Sequence, residues 1–189
     1  MSTRSPARLV VALTGATGAI YGVRLLERLR TLPGIETHLI VSSPAKRTLI
    51  EETDWTVRDV ERLAHTVHDI KDIGASIASG SYRTLGMVIA PCSIRTAAAI
   101  ATGVTGNLVT RAADVTLKEG RPLVLLVRET PLHVGHLRTL VALAEMGAVV
   151  MPPAPDFSQR PKGLDDLVTQ TVLRVLERLG LSHDPEAPA

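Results

Sequence analysis

Short apolar runs recur along the chain, separated by stretches in which apolar positions fall three and four residues apart. Leu9–Leu13, Thr37–Val41, Met87–Ala90, Leu123–Val127 and Ala148–Met151 are runs of the kind that form strands buried on both faces. Between them, Ile20–Leu32 places Val23, Leu26 and Leu29 at helical spacing, and Val57–His68 does the same with Val57, Val60, Leu63, Ala64 and Val67. Pro44–Thr53 opens with proline, which suits a first helical turn because the N–H it lacks has no partner there. Ser93–Ala101, Asn107–Lys118, Leu132–Met146 and Leu164–Leu179 complete the predicted helices. Asp69–Ser81, rich in glycine and serine, reads as a loop with room for a short strand. The alternation of strand and helix predicts an α/β protein with a parallel sheet covered on both faces. No repeat or linker divides the pattern, so the 189 residues read as one domain, with 1–7 and 183–189 as flexible tails.

Composition narrows the classes of function. The single cysteine, Cys92, excludes an internal disulfide framework and a cysteine-based zinc site, and fits a reducing compartment. The apolar run in MSTRSPARLVVALTG is too short for a signal peptide, and a membrane span needs about 20 apolar residues. The chain is therefore expected to be cytoplasmic and to have no membrane partner. Net charge is +2, the basic residues are dispersed, and the aromatics are Trp55, Tyr21, Tyr82 and Phe157 alone. A nucleic-acid partner is not expected, because single-strand binding relies on stacking platforms in a basic groove.

In an open parallel sheet, ligands bind beyond the carboxyl ends of the strands. Those ends carry Thr14-Gly15-Ala16-Thr17-Gly18, Ser42-Ser43, Pro91-Cys92-Ser93, Arg128-Glu129-Thr130-Pro131 and Pro152-Pro153. Together they describe a crevice able to hold a phosphorylated ligand through hydroxyls, backbone N–H groups and helix N-termini. The spacing Gly15-x-x-Gly18-x-x-x-Gly22 is not the dinucleotide fingerprint, and no Gly-Lys-Ser/Thr follows for a triphosphate. A mononucleotide or simple phosphate suits the turn better. Lys46 and Arg47 keep NADP as a minor alternative, and a packing turn without ligand is another. His133/His136 and His65/His68 have helical metal-ligand spacing, but HExxH is missing, so no metal is expected. Cys92 reads better as a buried thiol than as a nucleophile. Arg111, Asp114 and Lys118 share one helix face, as a solvated stripe or an anion clamp. Arg128-Glu129 sets a cation beside an acid that can move a proton, and Glu52 is either a surface residue or a second carboxylate of the site.

Three segments, TGATGAIYGVRLL, APCSIRTAAAIATGVTGNLVTRAADVTLKEGRPLVLLVRETPLHVGHL and GAVVMPPAPDF, resemble the flavin prenyltransferase family, also known as the UbiX or phenolic-acid decarboxylase type. The resemblance runs from about Leu9 to Leu181, and the block from Asn107 to Leu132 is long and specific. It implies a Rossmann-like, flavodoxin-like three-layer doubly wound sheet that binds FMN and assembles as a homo-oligomer, commonly a dodecamer. It implies metal-free transfer of a dimethylallyl group from dimethylallyl phosphate to reduced FMN. The prenylated FMN would then serve a UbiD-type decarboxylase. The implied FMN contacts are Gly15, Ala16, Thr17, Ser42, Ser93, Thr96 and Arg111. Lys118, Arg128 and Arg174 are implied as the prenyl-phosphate clamp, with neighbouring subunits contributing. Glu129 would handle the leaving phosphate and Glu52 would assist proton removal from the flavin. Thr17, where serine also occurs in the family, joins them in the catalytic set.

Two departures accompany the resemblance. Ser158 stands where the family carries a tyrosine that helps hold the prenyl phosphate, and Ile73 is taken to replace a family tryptophan. The FMN half of the site thus looks intact and the donor half altered. A flavin carrier with impaired transfer is therefore the alternative to the enzyme, and an FMN- or NADP-dependent oxidoreductase is a third reading.

Overall fold

The computed structural model describes residues 6–181. Six strands alternate with seven helices: β1 (Ala7–Leu13), α1 (Ala19–Thr31), β2 (Ile35–Val41), α2 (Ser43–Glu52), α3 (Val57–Glu61), β3 (Thr66–His68), β4 (Gly86–Cys92), α4 (Ile94–Ala101), α5 (Leu108–Lys118), β5 (Leu123–Val127), α6 (Val134–Glu145), β6 (Val149–Val150) and α7 (Leu164–Arg178). A single 3-10 turn, Ser76–Ala78, lies in the segment expected to be a loop. All strand pairs are parallel, in the order β3-β2-β1-β4-β5-β6. With the three-residue edge strand β3 set aside, the other five run in the flavodoxin order; β3 extends this to the Rossmann order. Either way the order reverses between β1 and β4.

The three layers follow from alternation within the strands. Leu9, Val11, Leu13, Leu39, Val41, Val88, Ala90, Val124 and Leu126 pack toward α1 and α7. Val10, Ala12, Ile40, Met87, Ile89, Leu123, Leu125 and Val127 pack on the other face, with residues of α4 and α5. Each fully buried leucine contributes about 1.5–3 kcal/mol by leaving water. Hydrogen bonds from Arg24 of α1 to Asp165 and Thr169 tie α7 to α1. No helix among the described residues is long and apolar enough to cross a membrane.

Two expectations fail here. Val57–His68 is not one helix: α3 stops at Glu61, and Thr66–His68 pairs with His38–Ile40 as β3. The His65 N–H donates to the Thr37 carbonyl at 3.1 Å, so the edge of β2 captures a segment whose apolar spacing suited a helix. Ala7, expected in the leading tail, begins β1 and pairs with Ile35, whereas residues 1–5 and 182–189 lie outside those described.

This edge holds a buried polar chain. His38, 4% exposed, has Nδ1 at 2.9 Å from His68 Nε2 and Nε2 at 3.1 Å from the Tyr82 hydroxyl. Arg8 covers the Tyr82 ring at 4.5 Å. One proton lies between the two imidazoles, and a second would set N–H against N–H. Burial, and then the facing His68, lower the His38 pKa from 6.5 to about 4. The unfolded chain therefore takes up this proton first. The stability contributed by the neutral His38 is intact above pH 6.5 and is lost progressively as pH falls toward 4. Denaturant titrations at pH 7, 5 and 4 are expected to show that decline, and His38→Asn should flatten it relative to the parent.

Candidate functional site

The reversal between β1 and β4 opens a crevice at the carboxyl edge of the sheet, and Thr14 pins its floor. Its hydroxyl donates to the Pro91 carbonyl at 2.9 Å and accepts from the Ser93 N–H at 2.8 Å, bridging the ends of both strands. The turn beyond Thr14 is shaped by close approach. A Cβ on Gly15 would overlap Pro44, and Gly18 has φ +98°, a left-handed conformation that favours glycine. Helix α1 has no side-chain cap of its own. Instead Glu52, at the end of α2, accepts from the N–H groups of Gly18 at 2.8 Å and Ala19 at 3.1 Å. The chain's own carboxylate thus occupies the helix end on which a dinucleotide pyrophosphate rests in Rossmann proteins. A dinucleotide would have to displace it, so the turn supports a ligand with a single phosphate bound elsewhere.

Two further helices start at the same edge. Ser42 caps α2 by accepting from the Ala45 N–H, at 3.2 Å. Ser93 caps α4 by accepting from the Thr96 N–H at 3.3 Å while its hydroxyl donates to Thr96 Oγ1 at 3.0 Å. This leaves the hydroxyl protons of Ser42 and Thr96 without a partner among the described residues. Asn107 caps α5 through N–H groups of Val109 at 2.9 Å and Thr110 at 3.2 Å, which places Asn107 and Val109 beside them. The resulting crevice is about 640 Å³. Gly15, Ala16, Thr17, Ser42, Ser93, Thr96, Arg128 and Glu129 all line it, as do Arg95 and Thr130. Hydroxyl donors, helix N-termini and two guanidinium groups around apolar walls suit a mononucleotide phosphate joined to a flat ring system. Sequence reasoning missed Arg95 and Asn107, although both fall in the quoted motifs. It also took Ile73 for the flavin-side residue of the Asp69–Ser81 segment, whereas Ile73 is exposed and Ile70 lines the crevice.

A second cavity, about 430 Å³, adjoins the crevice, sharing the wall Arg128-Glu129-Thr130. Tyr21, Pro152–Pro155 and the Leu164, Leu167, Val168 and Thr171 side of α7 enclose it. A third, about 380 Å³, continues outward along α7 past Gln170 to Arg174 and Asp156. Ser158 does not line these cavities: its hydroxyl donates to Asp156 Oδ1 at 2.6 Å and its N–H donates to the same oxygen at 2.9 Å. These bonds, then Arg174, hold the Asp156 carboxyl below the usual range.

The remaining predicted residues lie apart within one protomer. Arg111 is bonded to Asp114 at 2.8 Å, and Lys118 is exposed, 3.8 Å from Glu119. The stripe on α5 is thus partly paired with itself and does not reach the crevice. His65 and His68 bond to different residues of β2, and His133 caps α6 by accepting from Gly135 N–H at 3.0 Å. Cys92 is fully buried, and burial pushes its thiol up to about 12, which leaves it inert as a nucleophile at neutral pH.

The match to a family model described as Flavoprotein covers residues 2–176. The flavin prenyltransferase UbiX of Escherichia coli (strain K12) is 58% identical over 93% of this chain and 93% of its own length. A crystal structure of a dodecameric FMN-dependent UbiX-like decarboxylase from Escherichia coli O157:H7 superposes with TM-score 0.92 at 49% identity, covering 96% of this chain and 98% of that one. That of AnUbiX (PadA1) in complex with FMN and dimethylallyl pyrophosphate gives TM-score 0.92 at 45% identity, covering 94% of each chain. A strand order that reverses at a hydroxyl-lined crevice, and near-complete likeness in sequence and backbone to proteins of one kind, lead to one assignment: the chain belongs to the Flavoprotein family and, within it, to the UbiX-type flavin prenyltransferases.

Proposed function

We propose that the protein transfers a dimethylallyl group from dimethylallyl phosphate to reduced FMN. The observation that carries this reading is the wall Arg128-Glu129-Thr130, common to a flavin-sized crevice and to the cavity beneath α7, part of which is apolar. Reduced FMN, when bound, supplies the nucleophilic ring nitrogen to which the allylic carbon is joined as its bond to phosphate oxygen breaks. Gly15, Ala16, Thr17, Ser42, Ser93 and Thr96 hold the flavin nucleotide in the crevice. Arg128 faces the charge that develops on the departing phosphate, where a fixed cation lowers the barrier most. Glu129, on the wall shared by the two cavities, relays a proton to the departing phosphate, and Glu52, kept in place by the Gly18 and Ala19 amides, receives one from the flavin edge. Aligning both reactants across one wall contributes up to about 7–11 kcal/mol.

Arg111, Lys118 and Arg174 enter the site only from beyond the crevice, which favours a homo-oligomer that brings a neighbour's cations to it. The Escherichia coli O157:H7 relative is described as dodecameric. On this chain α6 leaves Val134, Leu137 and Val141 exposed, a face suited to a second copy. We assign the prenylated flavin to a UbiD-type decarboxylase, and the whole to the cytoplasm. Ser158 supports a second reading, a flavin carrier with impaired transfer, because its hydroxyl is bound to Asp156 rather than offered to a donor.

Anaerobic incubation of the reduced FMN-loaded protein with dimethylallyl phosphate, followed by mass spectrometry of the released flavin, is expected to show the prenyl adduct. Tight FMN binding with no adduct from phosphate or diphosphate donors would leave the carrier. In the same assay Glu129→Gln should lower turnover by about 10²–10⁴-fold. Ser158→Tyr, which restores a phosphate contact worth about 1–3 kcal/mol, should raise kcat/KM for the donor by roughly tenfold or more.

A further inference from the structure

Tyr21 stands in the first turn of α1, with its ring over Gly18. A Cβ on Gly18 would sit 2.9 Å from Tyr21 Cδ2 and 3.1 Å from Cε2, so the absent side chain is what lets the ring lie there. The ring lines the second cavity opposite α7, on the same cavity as Arg128 and Glu129. It is the one phenol among the residues lining that cavity, and none of the described residues hydrogen-bonds to its hydroxyl. Burial raises its pKa, against a smaller lowering by Arg128, so the group is an O–H donor at neutral pH. A half-buried hydroxyl donor without a partner among the described residues, in one cavity with the Arg128 guanidinium, is matched to an anionic oxygen; Glu129, Thr130 and Thr171 are the other polar groups of that cavity.

Building on the prenyl-transfer reading, we infer that Tyr21 is a donor-binding residue whose hydroxyl, with Arg128, holds the phosphate of an allylic phosphate ester. It donates a hydrogen bond and transfers no proton. The apolar part of the cavity, formed by Leu164, Leu167 and Val168, then receives the hydrocarbon. This places a long hydroxyl donor in the cavity itself, whereas Ser158 lies outside it and is bound to Asp156.

Tyr21→Phe removes one oxygen and keeps the ring over Gly18. In the FMN-loaded protein it is expected to raise KM for dimethylallyl phosphate about 10- to 100-fold, with kcat within about twofold and FMN affinity unchanged. A purely structural role would shift thermal stability and FMN retention and leave the donor KM alone. Calorimetric titration of the FMN-loaded protein with dimethylallyl phosphate tests the same contact without turnover, and the variant should bind about 10- to 100-fold more weakly. Equal KM and equal donor affinity in the two proteins overturn the role of Tyr21 even if both make the adduct. An inactive wild type that binds the donor through Tyr21 overturns prenyl transfer and upholds the contact. A wild type that binds no donor overturns both.

Discussion

The hydroxyl of Thr14 holds together the two strand ends between which the sheet reverses its order, and the site rests on that junction. Thr14 is 3% exposed and uses its hydroxyl both as donor to Pro91 and as acceptor from Ser93. Both bonds lie at the base of a solvent-facing crevice. Losing the second would leave the Ser93 N–H without its acceptor, at a cost of about 1–3 kcal/mol, and free the start of α4 to move, whereas the Pro91 carbonyl keeps the Thr14 N–H at 3.1 Å. The same junction sets Gly15 against Pro44 and so fixes the distance between α2 and the turn after β1. Three helix starts converge on this edge because β1, β2 and β4 are adjacent and parallel. The amides and capping hydroxyls of α2 and α4 make the crevice attractive to an anion without any lysine on its floor, the start of α1 being taken by Glu52.

Much of this was legible in the amino-acid pattern because central strands of a parallel sheet are apolar throughout. Leu123–Val127 was located to the residue, and the helix beginning at Asn107 because an asparagine cap carries a local signal. β3 was not legible for the complementary reason. Thr66 and Val67 lie on an exposed edge, and Val67 continues the helical spacing begun at Val57, so only pairing to β2 distinguishes strand from helix. Glu52 could not be resolved either, since its partners lie 34 and 33 residues away and a carboxylate capping another helix leaves no mark in its own neighbourhood. The Arg111–Asp114 pair was readable because three residues on a helix is contact distance, but that spacing cannot say which way the free face of α5 turns.

The two halves of the site differ in how they are built. The crevice is formed by strand ends and helix caps, whose positions follow from the sheet itself. The outer cavities are formed by Pro152–Pro155, by the loop before α7, and by α7, which is tied to α1 through Arg24. Such a wall tolerates replacement. At its outer end Asp156 carries a charge opposite to that of Arg174, and Ser158 stabilises the charged form of that acid. A phosphate approaching Arg174 therefore meets a carboxylate of like sign, as one beside Arg128 meets Glu129.

The same contrast governs where a transferable group would settle. Arg174 stands exposed on α7, where water screens it strongly. Arg128 is half-buried, its backbone N–H bonded at 3.1 Å to the Cys92 carbonyl at the end of β4, and it shares two cavities with Glu129. A cation fixed to the sheet in a less polar setting interacts more strongly with a given anion than a cation on an exposed helix. On the prenyl-transfer reading, a phosphate is held more firmly at the wall of the crevice than at Arg174, and the apolar group it carries is left to the cavity beneath α7.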